Sequence, residues 1–174
     1  GTSAGIGQSA ATHATVGSVA IGKNAMYYNS TANYCVAVGQ NALVGRDVSP
    51  WMTGDYNTAI GREALKSISS GYGNTAVGYT AASSMTTGRD NVLVGLQAGQ
   101  YITGGVENTA VGYLAGRSLT NGNYNTLMGW YAGYDLTSSH RNTFLGYASG
   151  RDYNQTGDGY NTAIGMYAMF DIET

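Results

Sequence analysis

The sequence predicts an all-β protein, a parallel β-solenoid of about ten coils with about 17 residues in each. The first observation is a short motif, close to Asn-Thr-Ala-Val-Gly-Tyr-x-Ala-Gly, that recurs along the whole chain. Its glycines are Gly7, Gly22, Gly39, Gly61, Gly78, Gly95, Gly112, Gly129, Gly146 and Gly165. The differences between successive numbers in this series are 15, 17, 22, 17, 17, 17, 17, 17 and 19. The other two observations are a composition rich in glycine and poor in charge, and columns of β-branched residues before each glycine.

The composition excludes several classes of protein. Glycine accounts for 27 of 174 residues and charged residues for 10%, against about 7% and roughly 25% in ordinary domains. Too little Glu and Lys is present for long helices or a coiled coil, and a net charge of −2 argues against nucleic-acid binding. The lone Cys35 can form neither an intrachain disulfide nor a thiolate zinc site. No apolar run approaches about 18 residues, so we expect no membrane insertion.

The residues before each motif glycine predict a short strand. The position directly before the glycine is always Ile, Val, Met or Leu, and the position three before is mostly Thr or Val. A spacing of two puts these columns on one strand face, and β-branched side chains suit a pleated surface. The residue between them is usually Ala. We therefore expect two apolar faces, with the β-branched face inside the coil and the Ala face packed against copies of the chain.

The remaining motif columns predict corners and a stacked polar ladder. We assign structural roles to the motif glycines Gly61, Gly78, Gly95, Gly112, Gly129, Gly146 and Gly165, because a corner needs backbone angles that other residues avoid. An asparagine stands four positions before each of them. We expect the side chains of Asn57, Asn74, Asn91, Asn108, Asn125, Asn142 and Asn161 to hydrogen-bond along the stack.

We treat residues 1–174 as one domain with irregular parts. Terminal coils at 1–16 and 166–174 are expected to act as caps, because an open solenoid end is an unpaired strand edge. The longest interval between motif glycines predicts a longer, irregular coil at 40–56, and insertions of this kind protrude as loops. Trp51 in this coil either packs against a neighbouring chain or is offered to a ligand.

Aromatic side chains are the candidate ligand-binding residues. An amphipathic ring suits the face of a sugar, and it equally suits stacking along a rod. The candidates are Trp51, Tyr56, Tyr79, Tyr113, Tyr124, Trp130, Tyr131 and Tyr147.

Signals for catalysis are weak. His13 and His140 belong to distant coils, so a metal site built on both is not expected. Asp90 and Glu107 share one column, and one coil apart they would be about 5 Å from each other, which is the separation of a glycosidase pair. Neither carboxylate has an evident partner for acid–base catalysis. We expect no catalytic residue, no metal, no cofactor and no enzymatic activity.

The repeats resemble two related groups of proteins. Val-Ala-Ile-Gly at 19–22 and Val-Ala-Val-Gly at 36–39 resemble the head repeats of trimeric autotransporter adhesins. Asn-Thr-Ala-Val-Gly-Tyr at 74–79 and 108–113 is similar to repeats of bacteriophage tail fibres, which often precede a self-cleaving chaperone of the endosialidase type. The resemblance covers about nine tenths of the chain. It implies a left-handed parallel β-roll, three chains about one axis, and a function in attachment. The longer repeat unit and the Thr column favour the fibre group.

The sequence thus predicts a structural or receptor-binding segment of a trimeric viral tail fibre that attaches to host-surface glycans, located in the virion. Four alternatives stay open. They are the head of a bacterial trimeric surface adhesin at the cell surface, a polysaccharide-degrading tailspike, a spacer without a ligand, and an ice-binding solenoid. The Thr column suggests the last of these, but that column shares its face with Ile and Val, and we expect it to be buried.

Overall fold

The computed structural model describes residues 16–46, 51–153 and 157–170. This part of the chain is all-β and contains no helix. Its strands are β1 (Val19–Ile21), β2 (Val36–Val38), β3 (Thr58–Ile60), β4 (Thr75–Val77), β5 (Val92–Val94), β6 (Thr109–Val111), β7 (Thr126–Met128), β8 (Ser139–His140), β9 (Thr143–Leu145), β10 (Gly157–Asp158) and β11 (Thr162–Ile164).

The strands stack as the repeat predicts. Nine of them form one parallel sheet in the order β1-β2-β3-β4-β5-β6-β7-β9-β11, and equivalent motif positions pair, as Leu93 does with Ala76 on one side and with Ala110 on the other. The parallel β-solenoid with turns of about 17 residues is confirmed. It has about eight turns and not ten. Nine strands bound eight turns, and the unit of Gly7 lies outside the described residues.

The core is a thin column inside the coil. The central residue of most strands of the large sheet is fully buried, from Ala37 and Ala59 to Leu127 and Phe144. The opposite wall is a second buried column that recurs once in each turn, made by Ile68, Met85, Ile102, Leu119, Leu136 and Tyr153. Where the strand supplies Leu or Phe in place of Ala, the glycine of the facing corner makes room, as Gly150 does for Phe144.

The expected facing of the strands is wrong. The Ala column points into the coil, and the β-branched columns point outward: Ile60 is 41% exposed and Leu145 is 42% exposed, while Ala59 and Phe144 are buried. Small central side chains suit the narrow interior of so short a coil, whereas the expectation from the sequence was that the larger β-branched side chains lie there. The surface left for other copies of the chain is therefore the Thr, Val and Ile face, and the Thr column is partly exposed on it.

The motif glycines from Gly22 to Gly146 occupy corners that have no space for a side chain. The φ angles of the motif glycines from Gly22 to Gly165 lie between +122° at Gly165 and +140° at Gly129, a region that favours glycine. A Cβ atom at Gly39 would lie 2.6 Å from the carbonyl oxygen of Gly61 in the next turn. Direct stacking of one corner on the next therefore requires glycine.

The asparagine column forms a continuous ladder through the interior. Asn108 donates from Nδ2 to Asn91 Oδ1 at 3.0 Å and to the Gly122 carbonyl at 2.8 Å, and its Oδ1 accepts from the N–H and the Nδ2 of Asn125, both at 3.0 Å. The same pattern runs from Asn57 to Asn161. At the other end of the column, Cys35 stands where later turns have asparagine, and its N–H donates to Ser18 Oγ at 3.1 Å.

Two positions of the irregular turn pair with one residue of the preceding turn. The Tyr28 N–H donates to the Val44 carbonyl at 2.8 Å, and the Met52 N–H donates to the Tyr28 carbonyl at 3.2 Å. Val44 and Met52 thus lie beside the same residue of the preceding turn, within the coil at 40–56 that the sequence predicts to be irregular. Of the terminal caps, residues 1–15 and 171–174 lie outside the described residues, and so do residues 47–50 of this insertion.

Candidate functional site

Four of the eight candidate aromatics gather on one side of the rod. The ring centroids of Tyr113 and Trp130 are 4.3 Å apart, and Tyr131 lies edge-on to Tyr113 at 5.5 Å. Two rings that the sequence argument did not include extend the group, Tyr134 at 5.3 Å from Tyr131 and Tyr167 at 5.4 Å from Tyr147. We call Tyr113, Trp130, Tyr131, Tyr134, Tyr147 and Tyr167 the aromatic cluster.

The solenoid repeat explains why these rings meet. Tyr113, Trp130 and Tyr147 each follow a motif glycine, so they stack in successive turns, while Tyr131 and Tyr167 follow one position later. The Tyr131 N–H donates to the Tyr113 carbonyl, and the Tyr167 N–H to the Tyr147 carbonyl, at 3.0 and 2.9 Å. The backbone thus fixes the spacing of the rings. Trp130 is half exposed, as are Tyr147 and Tyr167.

Two arginines contact rings at the edge of the aromatic cluster. Arg117 lies 5.6 Å from the ring centroid of Tyr134, and it donates to the Tyr134 hydroxyl at 3.1 Å and to the Tyr101 hydroxyl at 3.0 Å. Arg151 lies 5.3 Å from the Tyr131 centroid. Such cation–π contacts contribute about 0.5–1 kcal/mol at exposed sites. These contacts restrain the rings of Tyr134 and Tyr131 before any ligand arrives.

The environment raises the pKa of two groups at this site. The neighbouring phenol of Tyr167 raises the pKa of Tyr147, so the Tyr147 hydroxyl is a neutral donor at pH 7. Partial burial, with the Asp152 carboxylate second, raises the pKa of Asp135, which follows Tyr134 in the chain. The cluster thus exposes ring faces and ring edges that carry hydroxyl groups, which can stack on a sugar ring and hydrogen-bond to its substituents.

The other aromatic candidates lie apart from the aromatic cluster. Tyr56 stacks on Tyr34 with ring centroids 5.3 Å apart and an interplanar angle of 6°. Tyr124 belongs to a sandwich in which Arg141 lies 5.4 Å from its centroid and 5.3 Å from that of Tyr160.

The two remaining candidates belong to earlier turns. Tyr79 carries Arg62 at 5.7 Å from its ring centroid. Trp51 is 37% exposed where the irregular turn rejoins the rod, and its neighbour Met52 is buried. The arginines that contact these rings could not be assigned from the sequence, because each ring partner is set by the stacking of turns and not by a local motif.

The candidate catalytic residues occupy exposed positions. Asp90 and Glu107 lie in adjacent turns. The Glu107 N–H donates to the carbonyl of Arg89, the residue before Asp90, at 3.1 Å. His140 accepts a hydrogen bond at Nδ1 from the Asn123 N–H at 3.0 Å, and His13 lies outside the described residues. Among residues 16–46, 51–153 and 157–170, no group of three or more His, Cys, Asp or Glu side chains is placed to hold a metal ion.

No family model, no curated protein and no solved structure matches this chain. In the described part of the chain, no helix has the length and apolar character needed to span a bilayer. The aromatic cluster, the outward apolar face of the sheet and the irregular turn are the features on which a function can be argued.

Proposed function

We propose that the chain is a structural and receptor-binding segment of a trimeric viral tail fibre, located in the virion, that attaches to host-surface glycans. The observation that carries this proposal is the aromatic cluster, in which four rings contact one another and the pair Tyr147 and Tyr167 follows in the next turns of a low-charge rod. Polar-edged rings of this kind suit the two faces of a sugar. Successive turns repeat the rings at about 4.8 Å, so neighbouring units of a glycan chain meet similar surfaces.

The outward face of the nine-stranded sheet supports the trimer. This face carries exposed Val, Ile, Met and Leu side chains along the whole rod, among them Ile21, Val92, Met128 and Ile164. Monomeric proteins rarely expose contiguous apolar patches above a few hundred Å². A symmetric oligomer buries this strip with one repeated set of contacts, and the resemblance of the repeats to fibre and adhesin heads favours three chains. The head of a bacterial surface adhesin is the second candidate, because it would present the same outward face; the sequence that flanks this segment distinguishes the two.

A comparison of the two tryptophans tests the proposal. The purified protein is applied to a glycan array beside Trp130→Ala and the matched control Trp51→Ala. We expect Trp130→Ala to lower binding at least tenfold, because it removes the central ring of the aromatic cluster, and Trp51→Ala to bind like the parent. Loss in Trp51→Ala alone would place the receptor site on the irregular turn. No binding by the parent protein would overturn attachment and favour a spacer.

A further inference from the structure

A concave surface of different chemistry lies beside the irregular turn. It is a cleft of about 370 Å³ lined by Tyr28, Asn41, Arg46, Lys66 and Ser67, together with the chain at 44–45. We call it the basic cleft. Two full turns of the solenoid separate it from the aromatic cluster, so the two surfaces can be tested independently.

The cleft lies where the regular repeat is interrupted. The interval between Gly39 and Gly61 is longer than the regular repeat, and Val44 and Met52 both pair with Tyr28 of the preceding turn. Gly45 follows with a φ of +79°, and a Cβ atom there would lie 3.3 Å from the Cβ atoms of Tyr28 and Met52. Bare backbone thus packs against Tyr28. The chain at 66–67 of the following turn completes the lining.

The charge of the cleft is unusual for this protein. The whole chain has eight Lys and Arg residues, and two of them line this one cleft. Glu63 is the nearby carboxylate, and it is shared between Lys66 at 3.5 Å and Arg62 at 3.4 Å. No carboxylate in the described part of the chain forms an ion pair with Arg46. Among the described residues, Arg46, Arg62 and Lys66 are thus balanced by Glu63 alone. The local excess of positive charge attracts an anion.

The neutral groups in the cleft narrow the class of ligand. Tyr28 contributes a ring with a polar tip, Asn41 an amide and Ser67 a hydroxyl, which together suit a ligand with both an apolar face and several hydroxyl groups. A volume of about 370 Å³ falls at the small end of ligand pockets and leaves room for one sugar ring. We propose that the basic cleft binds an acidic sugar residue, with its carboxylate or sulfate group between Arg46 and Lys66.

Titrations with single sugars test this inference. The purified full-length protein is titrated by NMR with glucuronic acid and with galactose 6-sulfate, and with glucose and galactose as uncharged counterparts. We expect the acidic sugars to bind in the millimolar range and the neutral sugars to bind at least tenfold more weakly. Glucuronic acid binding without galactose 6-sulfate binding would assign the cleft to carboxylates, and the reverse would assign it to sulfates.

Charge-changing variants locate the site. Arg46→Ala and Lys66→Ala should each weaken acidic-sugar binding about tenfold, whereas the control Arg89→Ala, which removes an exposed arginine elsewhere, should not change it. Asp47→Asn removes the carboxylate that follows Arg46 in the sequence, and it should bind acidic sugars at least as tightly as the parent. Neither Arg46 nor Lys66 belongs to the aromatic cluster, so failure of the glycan-array test would not count against this site.

Three results would overturn the proposal. The first is equal binding of acidic and neutral sugars. The second is displacement of an acidic sugar by plain acetate or sulfate at the same concentration as by another acidic sugar. The third is full binding of acidic sugars by both Arg46→Ala and Lys66→Ala.

Discussion

At the scale of single residues, the ladder of buried asparagines sets the most exacting requirement. Asn108→Ala removes four side-chain hydrogen bonds, and the Asn125 N–H and the Gly122 carbonyl each lose a partner inside the coil. A buried polar group left unpaired costs about 1–3 kcal/mol. We expect Asn108→Ala to lower the free energy of unfolding by about 2–6 kcal/mol, measured by urea denaturation.

Asn161→Ala is the matched control for this prediction. Asn161 ends the ladder, is only partly buried, and donates to Asn142 Oδ1 at 3.0 Å and to the Tyr153 hydroxyl at 2.7 Å. Its removal should cost about 1 kcal/mol, because solvent can reach the groups it leaves. Equal costs for the two variants would mean that the ladder contributes no more inside the rod than at its end.

At the scale of the structural element, the corners should tolerate no side chain wherever another turn follows. A Cβ atom at Gly146 would lie 2.6 Å from the Gly165 carbonyl oxygen, whereas a Cβ atom at Gly165 would meet nothing within 4 Å. The φ angles of the two residues are +133° and +122°, so alanine is strained at both. We expect Gly146→Ala to be less stable than Gly165→Ala by about 1–3 kcal/mol in thermal unfolding, because only it is overpacked. Equal stability would show that the corners move apart freely.

The elements also show where prediction from sequence succeeds and where it stops. The strands, corners and Asn57–Asn161 ladder follow from a period that repeats in the sequence, so parallel stacking and register could be predicted. The facing of the strands could not, because Ala and Val columns are both apolar and only the width of the coil decides which points inward. The aromatic cluster was predicted in part: Trp130 and Tyr147 share one column, but the anchors Arg117 and Arg151 belong to another. The basic cleft combines residues of three turns that share no motif.

At the scale of the whole molecule, the outward sheet face should control assembly. We expect light scattering to give about three times the chain mass of 18.1 kDa, or about 54 kDa. Val92→Asp places a charge on the exposed apolar face and should yield a monomer, whereas Thr87→Asp, which adds the same charge at an exposed site off the strands, should remain a trimer. A parent protein of 18.1 kDa would contradict this prediction. It would also leave the Thr-bearing face in solvent, where ice binding becomes measurable as thermal hysteresis.

The stacking of identical corners and ladder positions has a consequence for the length of the molecule. Each turn offers its upper neighbour the same surface that it receives from its lower neighbour, with Asn91, Asn108 and Asn125 in interchangeable positions. A gain or loss of one complete repeat unit therefore preserves the pattern of strand pairing and asparagine hydrogen bonds between the remaining turns and changes the rod by about 4.8 Å. A partial unit would break the ladder. The rod can thus change its reach in whole steps while its cross-section stays constant.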